Sequence, residues 1–155
     1  MADDVNAEVE RVRTKVRDYL TGVFDAVDVD EAGECALSYG SARVSVSVRI
    51  FDEDSTAVHV EAPLVTGATA SPELFHYVAT SADTYDFGHL GVREEGDGKA
   101  TITFSHSLLG DFLDDAELRT AVVAVSFYGD QLDDELAARF GGRVYDAGGN
   151  GAGDA

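Results

Sequence analysis

The reactive groups of this chain are four histidines (His59, His76, His89 and His106), one cysteine (Cys35) and 30 acidic residues. A metal site or a nucleophile–base pair needs such groups held a few ångströms apart, and short ligand spacings are its usual trace in a sequence. No two histidines are close in sequence, and a lone cysteine forms no thiolate pair. Asp28-x-Asp30-x-Ala32-Gly33 begins like a calcium loop. Its fifth position is Ala32, and Tyr39 stands where a bidentate glutamate belongs, so a turn before a strand is the better reading. The acid runs at 52–54, 94–95, 114–115 and 133–134 fall at turns and helix faces, where solvation accounts for them. Gly88, Gly91 and Gly110 are too far apart to form a phosphate-cradling loop. Cys35 lies among small residues and reads as a buried structural thiol. His106 shares a strand face with Ile102 and Phe104, the place of a core or boundary histidine. These residues predict no catalytic group, no metal and no cofactor, hence no enzyme. An enzymatic reading would need two of His59, His89 and His106 to converge in one cleft.

Charge narrows the partners. Against the 30 acids stand 11 basic residues, for a net charge of −19. Residues 1–17 carry four of each sign, so the whole excess lies in 18–155. Such a surface repels phosphate and predicts neither nucleic-acid binding nor docking on an anionic membrane. One cysteine allows no intrachain disulfide, which fits a reducing, cytoplasmic setting. Residues 1–10 lack the apolar core of a signal peptide, and no apolar run has the length of a membrane span.

The elements that must position these groups follow from periodicity. Val5, Val9, Val12, Val16, Tyr19, Val23 and Val27 recur at spacings of three and four, drawing one stripe along a helix over about 4–27. Glu8 and Glu10 sit three residues before Arg11 and Arg13, an ion-pair face. Cys35–Tyr39 is a short strand, and Gly40-Ser41 is a turn. In Ala42–Phe51, Val44, Val46, Val48 and Ile50 alternate with Arg43, Ser45, Ser47, Arg49 and Phe51. In Ala57–Val65, Val58, Val60, Ala62 and Leu64 oppose His59, Glu61 and Val65. Ser71-Pro72-Glu73 starts a second helix, with serine as N-cap and proline in the first turn. Phe87–Arg93 and Ala100–Ser107 are strands joined by Gly96-Asp97-Gly98. Asp114 and Glu117 cap a third helix, stapled by Leu113 and Leu118. Its stripe is Leu118, Val122, Val125, Gly129, Leu132 and Leu136, and Gly141-Gly142 ends it. A glycine inside that stripe implies close approach to the sheet or to the first helix.

The order α-β-β-β-α-β-β-α predicts an α+β two-layer sandwich, its antiparallel sheet covered by helices mainly on one face. The chain divides into one domain, 1–142, and a glycine-rich disordered tail, 143–155. The open sheet face then shows Arg43, Ser45, Ser47 and Arg49 from one strand and Thr101, Thr103 and Ser105 from another, with Phe51 and Val65 as apolar spots. Such a face is either plain solvent-exposed surface or a platform for an extended peptide, with a sheet edge adding backbone hydrogen bonds. Arg43 and Arg49 would take a partner's carboxylates or pair with Glu61. The second helix carries Leu74, Phe75, Tyr77 and Val78, and aromatics turned outward there would make a dimer contact.

A family resemblance rests on Ala62-Pro63-Leu64-Val65, Ser71-Pro72-Glu73-Leu74, His106-Ser107-Leu108-Leu109-Gly110-Asp111, Glu117-Leu118, Leu132-Asp133-Asp134-Glu135-Leu136 and Phe140-Gly141-Gly142. This ordered set, with the element order, resembles the type III secretion chaperone-like fold, in its actinobacterial YbjN-type branch, over about residues 5–142. The resemblance implies a non-enzymatic homodimer that holds a peptide segment of a partner protein, with dimer contacts at Leu74, Phe75, Tyr77 and Val78. The alternative is a regulatory or assembly adaptor that grips a folded partner through its helices.

Overall fold

The structure is a computed structural model that describes residues 2–53 and 55–147, with side chains from Asn6 onward. Helix α1 (Ala2–Val23) leads into strands β1 (Asp28–Val29), β2 (Cys35–Tyr39), β3 (Ala42–Asp52) and β4 (Ser55–Thr69). Helix α2 (Pro72–Thr80), strands β5 (His89–Gly96) and β6 (Lys99–Leu109), helix α3 (Asp115–Phe140) and strand β7 (Arg143–Val144) complete it. The strands form one antiparallel sheet in the order β1-β2-β3-β4-β6-β5, and β7 pairs with β4 beyond the end of β3. The expected α+β order and one-sided helix layer are therefore present, with two short flanking strands added.

The core is the alternation written into β3, β4 and β6 meeting two helical stripes. Val44, Val46, Val48, Val58, Val60, Ala62, Leu64, Ile102 and Phe104 are buried against Val9, Val12, Val16 and Leu20 of α1 and Leu118, Val122, Val125 and Leu136 of α3. Gly129 is the point of closest approach. A Cβ there would lie 3.1 Å from Ala42 Cβ and 3.4 Å from Ala62 Cβ, so α3 lies directly on β3 and β4. Asp114 caps α3 by accepting from the Glu117 N–H at 2.8 Å, and Leu113 and Leu118 are both buried. Ser71 caps α2 by accepting from the Leu74 N–H at 3.2 Å.

Five expectations change. The first helix stops at Val23, and its buried stripe passes from Val16 to Leu20, while Val23 is exposed. A period of 3.6 puts the fourth residue after Val16, not the third, on the inner face. Ile50 is 52% exposed. The β3–β4 ladder slips between Ile50 and Asp52, and the hairpin tip projects past the packed core. Thr101, Thr103 and Ser105 are buried, because β6 is an inner strand between β4 and β5. Val65, expected on the open face, is fully buried in the core, because the β4–β6 ladder shifts register between Pro63 and Val65. Finally, Arg143 and Val144 of the expected tail pair with Thr66 and Val65, and the Tyr145 N–H donates to the Leu64 carbonyl at 2.8 Å. Gly141 and Gly142, at φ +76° and +82°, make that return possible. The remainder of the tail, 148–155, lies outside the described residues.

Candidate functional site

Cross-strand register assembles the open sheet face in rows. Ser47, His59 and Ser107 stand side by side on β3, β4 and β6. Ser45, Glu61, Ser105 and His89 form the next row, and Arg49, Ala57 and Leu109 form the one on the other side. At the centre His59 and Glu61 knit three strands together. His59 Nδ1 lies 3.0 Å from Ser107 Oγ and 3.4 Å from Arg49 Nη2, and its Nε2 lies 3.4 Å from Glu61 Oε2. One assignment satisfies all of these contacts: Nε2–H donates to Glu61, and Nδ1 accepts from the serine and the arginine. Arg93 on β5 donates to Glu61 Oε1 at 3.0 Å. The hydrogen bond from His59 and the Arg93 guanidinium hold the Glu61 carboxyl at about 2, against the desolvation that opposes them.

The arginines read from sequence take different roles. Arg43 is committed to Asp28 and donates to Ser38 Oγ at 3.1 Å. Arg49 is exposed and reaches His59 Nδ1 with its guanidinium. Neither pairs with Glu61; Arg93 does. That role was missed because residue spacing does not give the β5–β6–β4 register that brings Arg93 across. Ser45 donates to the Glu61 carbonyl at 3.3 Å, and Ser47 is half-buried. Phe51 is 65% exposed at the register slip that ends β3, two residues beyond Arg49.

The same end of β3 has an unpaired sheet edge. The β2 ladder ends at the Cys35–Val46 pair, so beyond Val46 no described strand meets β3 on the side away from β4. The first orphan donor there, the Val48 N–H, is taken by Glu34 Oε2 at 2.9 Å. The other oxygen of Glu34 is held by Arg13 of α1, at 2.9 Å from Nη2. Since strand amides alternate sides, the amide and carbonyl of Ile50 point out along the same edge.

Of the expected dimer residues, Leu74 is fully buried and drops out as a contact surface, because α2 turns it into the core. Tyr77 and Val78 are half-buried. Tyr77 packs on Phe140 at 5.4 Å between ring centroids, and the Arg139 guanidinium lies 4.6 Å from its ring. Phe75 is the exposed member.

His106 projects toward the helix side beside Phe87, and burial pushes its pKa down, whereas His59 and His89 lie in the open-face rows. Cys35 is buried, which pushes its thiol up. Asp30 Oδ1 accepts from the N–H groups of Ala32 and Glu34, at 2.9 Å each, so the calcium-like segment is a self-bonded turn. Among the described residues no three histidine, cysteine or acidic side chains gather as metal ligands, and no helix is long and apolar enough to cross a membrane.

Comparison with known proteins finds a family match and several similar folds. Residues 10–148 match the family described as TY-Chap1, the T3SS (YopN, CesT) and YbjN peptide-binding chaperone 1. Among solved structures, the ExsC–ExsE complex is similar with a TM-score of 0.58 and 15% identity, over 83% of this chain and 95% of that one. The HopA1–SchA chaperone–effector complex gives 0.57 and 13%, over 79% and 92%. YbjN from E. coli, described as a putative transcription regulator, gives 0.52 and 9%, over 79% and 92%. At these identities the likeness is one of fold. No curated protein sequence matches the chain.

Proposed function

The chain belongs to this family of peptide-binding chaperones, and on that premise we propose that it holds an extended segment of a partner protein at the β3 corner of its open sheet face. In this reading it is a non-enzymatic, cytoplasmic homodimer. The observation that carries the reading is the unpaired edge of β3, the strand that carries Arg49 and Phe51, with Leu109 in the same cross-strand row as Arg49. A partner strand placed there would bond to the Ile50 amide and carbonyl, rest apolar side chains on Phe51 and Leu109, and offer a carboxylate to Arg49. Arg43, already paired with Asp28, and the half-buried Ser47 shape the platform together with Ser45. The dimer would use Phe75 with the exposed parts of Tyr77 and Val78, supported from beneath by Leu74.

The test is affinity capture from native lysate with wild-type protein beside Arg49→Glu/Phe51→Asp. A synthetic peptide from the captured chain is then titrated against both. The expected result is one partner segment whose affinity falls at least about tenfold in the double variant, as loss of a central anchor and a paired charge requires. Equal affinity for both proteins would remove the sheet face from the interaction. For the dimer, sedimentation should show Phe75→Asp running at half the wild-type mass, and an unchanged mass would rule out this α2 contact.

A further inference from the structure

Helix α3 has a second apolar stripe, which its packing on the sheet leaves bare. Ala116, Thr120, Val123 and Phe127 recur at spacings of four, three and four on the side away from the core, and Val123 and Phe127 are 49% and 47% exposed. The Thr120 hydroxyl donates back to the Ala116 carbonyl at 2.7 Å, so this position needs no outside hydrogen-bond partner. Phe87, 45% exposed, stands beside the stripe and is held edge-on to His106 at 6.0 Å between ring centroids. It forms the ridge between two grooves. One, of about 420 Å³, is walled by Val123, Ala124, Phe127 and Tyr128. The other, of about 610 Å³, is floored by Leu108 and Ala121.

The rim of the second groove is acidic, while the first sets Asp86 against Arg119. Asp86 borders both, Asp114 and Glu117 border the second, and Arg119 is the one cation among the residues lining either. We propose that this grooved face of α3 receives an amphipathic helix of a partner protein, with apolar residues at three- and four-residue spacing and Lys or Arg flanking them. The stripe's spacing is that of a surface packing against another helix. The rim fixes the sign of the partner's charge. A basic helix is drawn in and oriented by these acids, whereas a helix with acidic flanks is repelled by them. The groove lies on the helix layer, away from the open sheet face, so this inference stands or falls apart from the reading above.

The probe is a labelled synthetic peptide of about 18 residues, long enough for five helical turns. Leucines repeat at positions i, i+3, i+4 and i+7, lysines fill the rest, and a scrambled peptide of equal composition serves as control. The wild-type protein should bind the ordered peptide at least about tenfold more tightly than the scramble, an anchor-sized difference. Phe127→Asp should abolish that preference, and Phe51→Asp should keep it. Val123→Glu repeats the test should Phe127→Asp melt differently from wild type. The proposal is overturned by equal binding of the two peptides to wild type, by a preference that survives both α3 variants, or by its loss in Phe51→Asp. It is also overturned by a concentration-dependent dimer that Phe127→Asp breaks, which would make a second copy the occupant.

Discussion

Glu61 is the residue on which the open face depends most, since its carboxylate ties β4 to β5 through Arg93 and accepts from His59. Its folded pKa of about 2 lies below the ordinary 4.5. The stabilisation it gives is therefore complete above the ordinary value and is lost as pH falls through about 2. Melting temperatures measured across that window should fall more steeply for wild type than for Glu61→Gln. Parallel curves would mean that the ion pair contributes nothing. Ser41 offers a second test. Its hydroxyl donates to Oδ2 of the buried Asp133 at 2.5 Å and lies 2.9 Å from Asp130 Oδ1, to which its N–H donates at 2.8 Å, clamping the β2–β3 turn to α3. Ser41→Ala leaves a buried carboxylate short of a donor and should cost about 1–3 kcal/mol in urea unfolding. A loss below about 0.5 kcal/mol, the range of ordinary surface changes, would show that the clamp is idle. At this scale the sequence named Arg43 and Arg49 and the face they share, but not their partners. Asp28 reaches Arg43, His59 reaches Arg49 and Arg93 reaches Glu61 through pairings set by whole strands, which residue spacing does not encode.

Elements were more legible where local rules and packing agree. The caps Ser71 and Asp114, the turn Gly96-Asp97-Gly98 and the alternation of β3 and β4 are short-range signals, and the fold uses each of them. Gly129 was legible as a close contact, though whether it met sheet or helix was not. Its neighbours are Ala42 and Ala62, so Gly129→Val should lift α3 off β3 and β4 and cost about 1–3 kcal/mol by overpacking. An unchanged urea midpoint would show that the layers can separate freely. The two short strands escaped the sequence reading because two residues carry no period. The exposure of Ile50 escaped because alternation gives a side chain's face, not how far the cover extends.

For the whole molecule, the acidic excess acts on stability as well as on choice of partner. Thirty acids against 11 basic residues repel one another most when salt is scarce. Raising sodium chloride from about 0.01 M to about 0.5 M shortens the screening length severalfold and should raise the melting temperature. A flat response would mean that the charges are already neutralised locally by pairs such as Arg13–Glu34 and Arg93–Glu61.

Glu34 has a wider meaning in this setting. A bare strand edge invites endless stacking of like on like, the route to aggregates, and soluble proteins place a charge at such an edge to stop it. Here an acid from the β1–β2 turn, steadied by α1 through Arg13, fills the first vacant position at Val48 and leaves the next, at Ile50, exposed. The edge is thus short and carries a negative gatekeeper. A brief foreign strand can read it, while a second copy of the same sheet meets its own charge first.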